Sequence, residues 1–203
     1  MILEGYQLEK TETKCPYLEN RVFTSNNMII KSIGEEGLAA LLEAGYRHFG
    51  EYYFRPECID CGECRPIRIP VASYGFSKSE KRVLKKTSGF RVLLIDNRVP
   101  NSDKFELYTD HKRRFGYAES ESYENWKKSF FSGQVFNRIM EIWDGDLLVA
   151  VTHMDVTAKL MSAVYCYWHE SYASFSPGKL SILLGLQTAI KSRVVYYYLG
   201  YYI

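Results

Sequence analysis

Asn137-Arg-Ile-Met-Glu-Ile-Trp143, then Asp144-Gly145-Asp146, then Leu147-Leu-Val-Ala-Val-Thr-His-Met-Asp-Val156 is the stretch that decides the fold. Two apolar, strand-like runs flank an Asp-Gly pair, the strongest short-range signature of a hairpin. Met161 to Trp168 is a third run of the same kind. Gly178 to Ser192 then reads as a helix, with Leu180, Leu183, Leu184, Ala189 and Ile190 supplying its apolar face. Val194 to Tyr202 is a final strand, and helices are predicted upstream near 102–115 and 120–132. The second half is therefore helices, three antiparallel strands, a helix and a strand.

Working towards the N-terminus, residues 90–95 form a short apolar strand and Ser77 to Ser88 a polar, basic helix. Residues 66–74 alternate enough for a strand, and Pro66 and Pro70 place it at a sheet edge. Residues 35–45 read as a helix with Leu38, Leu41 and Leu42 on one face and Gly45 as its stop, followed by a Tyr- and Phe-rich strand over 46–54. No repeat, low-complexity tract or long linker interrupts the chain. The fold class is α+β, with a small Cys-cluster region over 1–96 and a second region with a mixed sheet over 97–203.

The 203 residues, 46% of them hydrophobic, are enough to bury a core. The net charge of +2 excludes a whole-chain basic field, so contact with nucleic acid must come from local clusters. No apolar run approaches the ~20 residues of a membrane span, and Met1 to Lys14 lacks an apolar signal core. The chain reads as cytoplasmic, with no membrane partner. Its five Cys are then thiols or metal ligands rather than disulfides.

Cys58-Ile-Asp-Cys61-Gly-Glu-Cys64 is the sharpest local motif. Three thiols at this spacing can converge on one ion, with Cys15 as a distant fourth. Four thiolates suit structural zinc or an iron–sulfur cluster, whereas free thiols are the plainer reading. Cys166 lies in an apolar strand and reads as core. Lys78, Lys81, Arg82, Lys85 and Lys86 share one broad side of the basic helix, either as a solvated face or as contacts to RNA phosphates. Lys112-Arg113-Arg114 and Lys127-Lys128 are further basic clusters. Ser176-Pro177-Gly178-Lys179 precedes the last helix, where free N–H groups receive a phosphate or a terminal nucleotide, or simply form an ordinary helix start. The four His form no spaced metal motif, and neither a nucleophile–base pair nor a nucleotide loop is visible.

Taken in order, these segments resemble the arginyl-tRNA–protein transferases and, more closely, their bacterial leucyl-tRNA–protein transferase relatives. The resemblance rests on Cys15-Pro16-Tyr17-Leu18, on Gly45-Tyr46-Arg47 with Gly50, Tyr53, Arg55 and Pro56, and on Cys58, Cys61 and Cys64 running into Pro66-Ile67-Arg68-Ile69-Pro70-Val71. It continues through Ser77, Ser79, Arg82, Phe105, Leu107, Tyr108, Asp155, Ser162-Ala163-Val164-Tyr165, Ser176, Gly178 and Tyr198-Leu199-Gly200-Tyr201-Tyr202-Ile203. His48 stands where the family usually has a second Arg, and Pro177 and Lys179 replace the usual neighbours of Gly178. The family normally continues into a Met-x-Tyr-Lys pattern, so the resemblance implies a C-terminal segment missing after Ile203. The order of elements in the second half also resembles the GNAT-like acyltransferase fold.

The resemblance implies transfer of an amino acid, leucine by the Cys spacing, from aminoacyl-tRNA to the N-terminal amine of proteins beginning with Asp or Glu, marking them for degradation. Arginine is the alternative donor. No cofactor is implied for the transfer itself. An aminoacyl ester is already activated, so catalysis rests on orientation and on hydrogen bonds to the developing oxyanion. Asp155 is the candidate to accept from the attacking amine, and Tyr165 is a polar contact near the ester. Arg47, Arg65 and Arg68 are candidates for the acceptor's carboxylate. Lys78, Lys81, Arg82, Lys85, Lys86, Ser176 and Gly178 are candidates for tRNA. A CoA-dependent N-acetyltransferase and a non-enzymatic, metal-containing RNA-binding protein are the other classes considered. The first would need a more Gly-rich loop, and the second leaves the apolar C-terminal half unused.

Overall fold

The structure, a computed structural model, describes residues 3–96, 99–116, 121–131 and 134–203. The first sheet contains β1 (Leu3–Gln7), β2 (Thr11–Lys14), β3 (Val22–Ile33), β4 (Arg47–Phe49) and β5 (Tyr52–Pro56). Its order is β1-β3-β5-β4, with β2 also paired to β3. The twelve-residue β3 is the frame: β1 pairs with its second half and β2 with its first. Buried Asn27 closes the junction between those two partners. Its amide donates to Thr11 Oγ1 at 3.1 Å, and its side-chain oxygen accepts from Ser25 Oγ and Tyr52 Oη, both at 2.7 Å. Helix α1 (Glu35–Glu43) packs Leu38 and Leu42 against Ile30, Ile33 and Tyr53, and this cluster also holds Phe136, Leu160 and Tyr198. One core thus joins the first sheet to the second.

The second sheet contains β6 (Arg65–Pro70), β7 (Arg91–Asp96), β8 (Asn137–Asp144), β9 (Leu147–Val156), β10 (Leu160–Trp168) and β11 (Tyr196–Tyr202), in the order β6-β11-β10-β9-β8-β7. All pairs are antiparallel except β10 with β11. The predicted hairpin turns at Gly145, whose φ of +57° is a conformation glycine adopts without strain. As the two prolines require, β6 is an edge strand. The α+β class and the mixed sheet match the sequence reading. The expected boundary after residue 96 does not follow the sheet, because β6 and β7, both from the first 96 residues, close its two edges.

Helices α3 (Ser102–Arg113) and α4 (Tyr123–Phe130) cover one face of this sheet, packing Leu107, Tyr108, Trp126 and Phe130 on Ile139, Val151 and Tyr167. Helix α5 (Pro177–Lys191) covers the other with Leu183, Leu186 and Ala189 on Met140, Met154 and Met161. Helix α2 (Lys78–Lys86) lies beside α5 and starts with a capping box between Ser77 and Glu80. Tyr197 packs directly on Gly185 of α5, and a side chain there would collide with the Tyr197 ring. Because α5 carries the chain from β10 to the parallel β11, it is the crossover that a parallel pair needs.

Two predicted strands differ in detail. Residues 46–54 are not one strand but the hairpin β4–β5, turned at Gly50. The strand expected over 66–74 ends at Pro70 and becomes a short 3₁₀ turn over Val71–Ser73. Strands β1, β2 and β3 carry no counterpart in the sequence reading.

Candidate functional site

The parallel pair β10 and β11 touches only at its start, where Leu160, Met161 and Ser162 face Tyr196, Tyr197 and Tyr198. Beyond Ser162 the two strands part. Both are irregular at that level: the register of β10 against β9 shifts between Ala163 and Tyr165, and that of β11 against β6 shifts between Tyr198 and Gly200. A strand in the middle of a sheet is normally buried throughout. Here β10 is buried up to Ser162 and half-exposed from Ala163 to Cys166. The bulges and the partial exposure define an opening inside the sheet, the sort of place where a ligand reaches backbone groups.

Arg47, at the start of β4, is wedged against this opening. Its Nη1 donates to Ser162 Oγ at 3.2 Å and its Nη2 donates to the Ala163 carbonyl. Tyr201 Oη donates to the Gly45 carbonyl at 2.5 Å, tying β11 to the same segment. Burial lowers the Arg47 pKa from the usual guanidinium value, and the charge of Asp155 opposes that shift. Arg47 is thus buried at the opening and bonded to one hydroxyl and one backbone carbonyl of β10.

Asp155 has no exposed surface. Its Oδ1 accepts from Asn137 Nδ2 and its Oδ2 lies against His48 Nε2, both at 2.8 Å. His48 Nδ1 lies 3.0 Å from the Gly50 carbonyl, which can only accept, so that nitrogen carries a hydrogen. One further proton must then lie between Nε2 and the carboxylate. The pair is either imidazolium with carboxylate or imidazole with carboxylic acid. Tyr53 stacks on the imidazole with ring centres 4.6 Å apart. Buried Asp155 thus links His48 of the β4–β5 turn to Asn137 at the start of β8, and its charge acts on Arg47. His48 and Asn137 are the partners that sequence reasoning missed. They lie 107 and 18 residues from Asp155, and no local pattern links them to it.

Tyr165 follows the bulge and is half-buried in a ring cluster with Phe130 at 5.4 Å, Phe49 and Tyr108 at 6.1 Å and His111 at 6.4 Å. Outside Phe49 lies an apolar cleft of about 500 Å³ between the β4–β5 turn and the end of α4, walled by Ile29, Phe49, Tyr52 and Phe131. A much smaller cavity, lined among others by His48, Gly50, Ser129, Asn137 and Val164, lies between that cleft and the bulge.

At the other end of β10, α5 begins with Ser176 in the left-handed region, φ +53°, without a side-chain cap. Gly178 leaves open space at the helix start, with only Trp168 Nε1 near the position of a side chain. Two cations approach from either side. Lys86 donates to the Ser174 carbonyl at 2.9 Å and lies over the Phe175 ring, and Arg114 donates to the Trp168 carbonyl at 2.6 Å with its guanidinium 4.0 Å from the Trp168 ring centre. Lys78, Lys81, Arg82 and Lys85 are exposed on α2, so the structure joins the basic helix to the α5 N-terminus through Lys86. Arg65 and Arg68 lie on the edge strand β6, with Arg68 over the Tyr196 ring and bonded to Glu43 and Tyr198.

The four thiols of Cys15, Cys58, Cys61 and Cys64 share one neighbourhood at the end of the first sheet. Burial pushes the Cys64 thiol up, as do the charges of Cys58, Cys15 and Cys61. Backbone N–H groups of Leu18 and Thr24 donate to Cys15 Sγ and Cys58 Sγ, each at 3.4 Å, as backbone N–H groups do to metal-bound sulfur. Among the described residues, however, no three His, Cys, Asp or Glu side chains converge as a finished ligand set. The donor chemistry fits a thiolate-bound metal, although the ligand shell is not preassembled. Cys166 lies apart from them, 3.3 Å from Ser181 of α5.

The sheet with its parted parallel strands has counterparts among solved structures. FemX aligns with a TM-score of 0.53 over 97% of this chain and 79% of its own, at 7% identity. L-PGS from Bacillus licheniformis aligns with a TM-score of 0.51 over 82% of this chain and about half of its own, at 14% identity. At such identities the likeness is one of fold. The sequence goes further. Family models described as "Arginine-tRNA-protein transferase, N terminus" and "Arginine-tRNA-protein transferase, C terminus" match residues 13–82 and 103–203. A protein of Campylobacter jejuni named "Aspartate/glutamate leucyltransferase" is 34% identical over 95% of this chain and 82% of its own length. One of the same name from Helicobacter hepaticus is 28% identical over the whole of this chain and 85% of its own. The chain belongs to the aminoacyl-tRNA–protein transferase family.

The buried pair carries a consequence for stability. Asp155→Ala leaves His48 and Asn137 without their shared partner and removes the charge beside Arg47, and should cost about 3–5 kcal/mol. Asp155→Asn loses the charge beside Arg47 but can still accept from Asn137 and donate to a neutral His48, so it should cost less than Asp155→Ala. Urea unfolding of the two variants measures the difference, and equal losses would show that the hydrogen bonds do not anchor this region.

Proposed function

We propose that this protein transfers leucine from leucyl-tRNA to the N-terminal amine of proteins beginning with Asp or Glu, marking them for degradation in a cytoplasmic setting. The observation that carries the reading is 34% identity to an aspartate/glutamate leucyltransferase across nearly the whole chain. The half-open β10 supports it. In this reading the leucyl ester lies over residues 163–165, between β10 and β11. The backbone freed at the bulge faces the ester carbonyl, and N–H groups aimed there would stabilise the oxyanion of the tetrahedral intermediate. The rings around Tyr165 form an apolar wall, which suits a leucyl side chain better than a guanidinium.

The terminal nucleotide of the tRNA lies towards Ser176 and Gly178 at the start of α5, where unpaired N–H groups favour phosphate. Helix α2 then carries the acceptor stem on Lys78, Lys81, Arg82, Lys85 and Lys86. The α-amine has an ordinary pKa of ~7.7–8.0, so part of it is neutral near physiological pH. It attacks the ester carbon, the tRNA hydroxyl leaves, and the amine's proton passes to the leaving oxygen or to solvent. Orientation is the enzyme's main contribution, which explains why the site lacks a nucleophile–base pair.

Cys15, Cys58, Cys61 and Cys64 would hold a structural zinc or iron–sulfur cluster. When bound, it clamps the loop before β6 to β2 and β3, and a closed thiolate shell leaves no open position for substrate. Metal, iron and sulfide analysis of anaerobically purified protein should find metal lost in the triple variant Cys58→Ser/Cys61→Ser/Cys64→Ser and kept in Cys166→Ser. Fully folded, metal-free wild-type protein would refute the site.

The function is tested by transfer from separately charged leucyl- and arginyl-tRNA to peptides beginning with Asp, Glu or Ala. Leucine should reach the Asp and Glu peptides and not the Ala peptide. Alanine at Lys81, Arg82, Lys85 and Lys86 together should weaken tRNA binding and flatten its salt dependence. Arginine as the preferred donor would overturn the leucine assignment, and an unchanged salt slope would remove α2 from the tRNA path.

A further inference from the structure

We propose that the apolar cleft between the β4–β5 turn and the end of α4 receives the first residue of the acceptor protein, with Lys128 binding its acidic side chain and Glu51 facing its amine. This rests on the transfer reaction proposed above. The cleft is walled by Ile29, Phe49, Tyr52 and Phe131, and its rim carries Glu51 from the turn and Lys127 and Lys128 from the helix. Lys127 is paired with Glu124 at 3.0 Å. Glu51 and Lys128 are both exposed, and among the described residues neither has an ion-pair partner. Opposite charges flank one apolar cleft and do not neutralise each other.

Their placement is fixed by contact between the two elements. Gly50 has φ +57°, and any side chain on it would collide with the Lys128 carbonyl, so the turn is seated directly under the last turn of α4. Gly50 is itself tied to His48, and through it to Asp155. The turn bearing Glu51 and the helix end bearing Lys128 are therefore held as one rigid mouth.

The charges select the occupant. A leucyl ester presents an ammonium and an apolar chain, which leaves Lys128 unused. A tRNA backbone presents only phosphates, which Glu51 repels. A protein beginning with Asp or Glu presents an amine and a carboxylate a few ångströms apart, which is the complement of this rim. Ser129 lines both the cleft and a small cavity that reaches Val164 at the β10 bulge, so the cleft adjoins the part of β10 over which the ester would lie. This location differs from that of Arg47, Arg65 and Arg68, of which Arg47 is bonded to Ser162 and Ala163 and Arg68 to Glu43 and Tyr198.

The test uses fluorescent pentapeptides that differ only in a first residue of Asp, Ala or Lys. Binding to the full chain is read by anisotropy at constant ionic strength, alongside leucyl-tRNA binding and transfer. Wild type should bind the Asp peptide about ten-fold tighter than the Ala peptide. Lys128→Ala should abolish that preference while leucyl-tRNA affinity stays within two-fold, and Lys128→Glu should favour the Lys peptide. An intact Asp preference in Lys128→Ala overturns the inference, as does a loss of leucyl-tRNA affinity with the peptide preference intact. Selective, Lys128-dependent peptide binding without leucine transfer would sink the donor assignment and leave the acceptor site standing. Leucine transfer to Asp peptides that ignores Lys128 would do the reverse.

Discussion

The parting of β10 and β11 is the constraint on which the rest of this structure depends. Two parallel strands that separate inside a sheet leave backbone N–H and C=O groups without partners, and a buried unpaired group costs roughly 1–3 kcal/mol. The protein meets that cost on one side with Arg47, whose guanidinium takes the Ala163 carbonyl and Ser162 Oγ. A buried guanidinium in turn needs an anion, and Asp155 is the carboxylate acting on it. Asp155 is held by Asn137 and His48, and His48 by the Gly50 turn. The opening in the second sheet is therefore held by residues of the first, and the two sheets form one functional unit.

The same chain of contacts holds Asp155 and Arg47 in place beneath the opening. At the opening itself stand the backbone around the bulge and the rings near Tyr165. That inventory suits a reaction whose donor is already activated, because orientation and a few fixed dipoles are enough. It also accounts for the distribution of charge. The net charge is only +2, yet α2 alone carries five cations, a local basic cluster in a chain without a general basic field.

Much of the fold was legible because local physics dictated it. Asp144-Gly145 marked the β8–β9 turn, Pro66 and Pro70 marked an edge strand, and the Leu spacing after Gly178 marked α5. Strand β3 was hidden because Ser25-Asn26-Asn27 breaks its apolar pattern, and only the fold shows Asn27 buried and fully bonded. The turn at Gly50 was read through as strand because its positive φ is imposed by contact with α4. The candidate site was legible as a set of segments but not as roles. Whether an arginine reaches solvent or a strand's carbonyl depends on partners more than a hundred residues away, as for Arg47 with Ser162 and Ala163. The Cys spacing revealed a shared neighbourhood, but a spacing does not position sulfur atoms.

The central claim is that the opening between β10 and β11 holds the aminoacyl end of the tRNA. A structure of the protein with a non-hydrolysable leucyl-adenosine analogue, an amide in place of the ester, tests it most directly. The account places the leucyl carbonyl against the backbone of residues 163–165, with the adenosine towards Ser176 and Gly178. An analogue bound elsewhere, with β10 and β11 closed into a continuous parallel pair beyond Ser162, would contradict it.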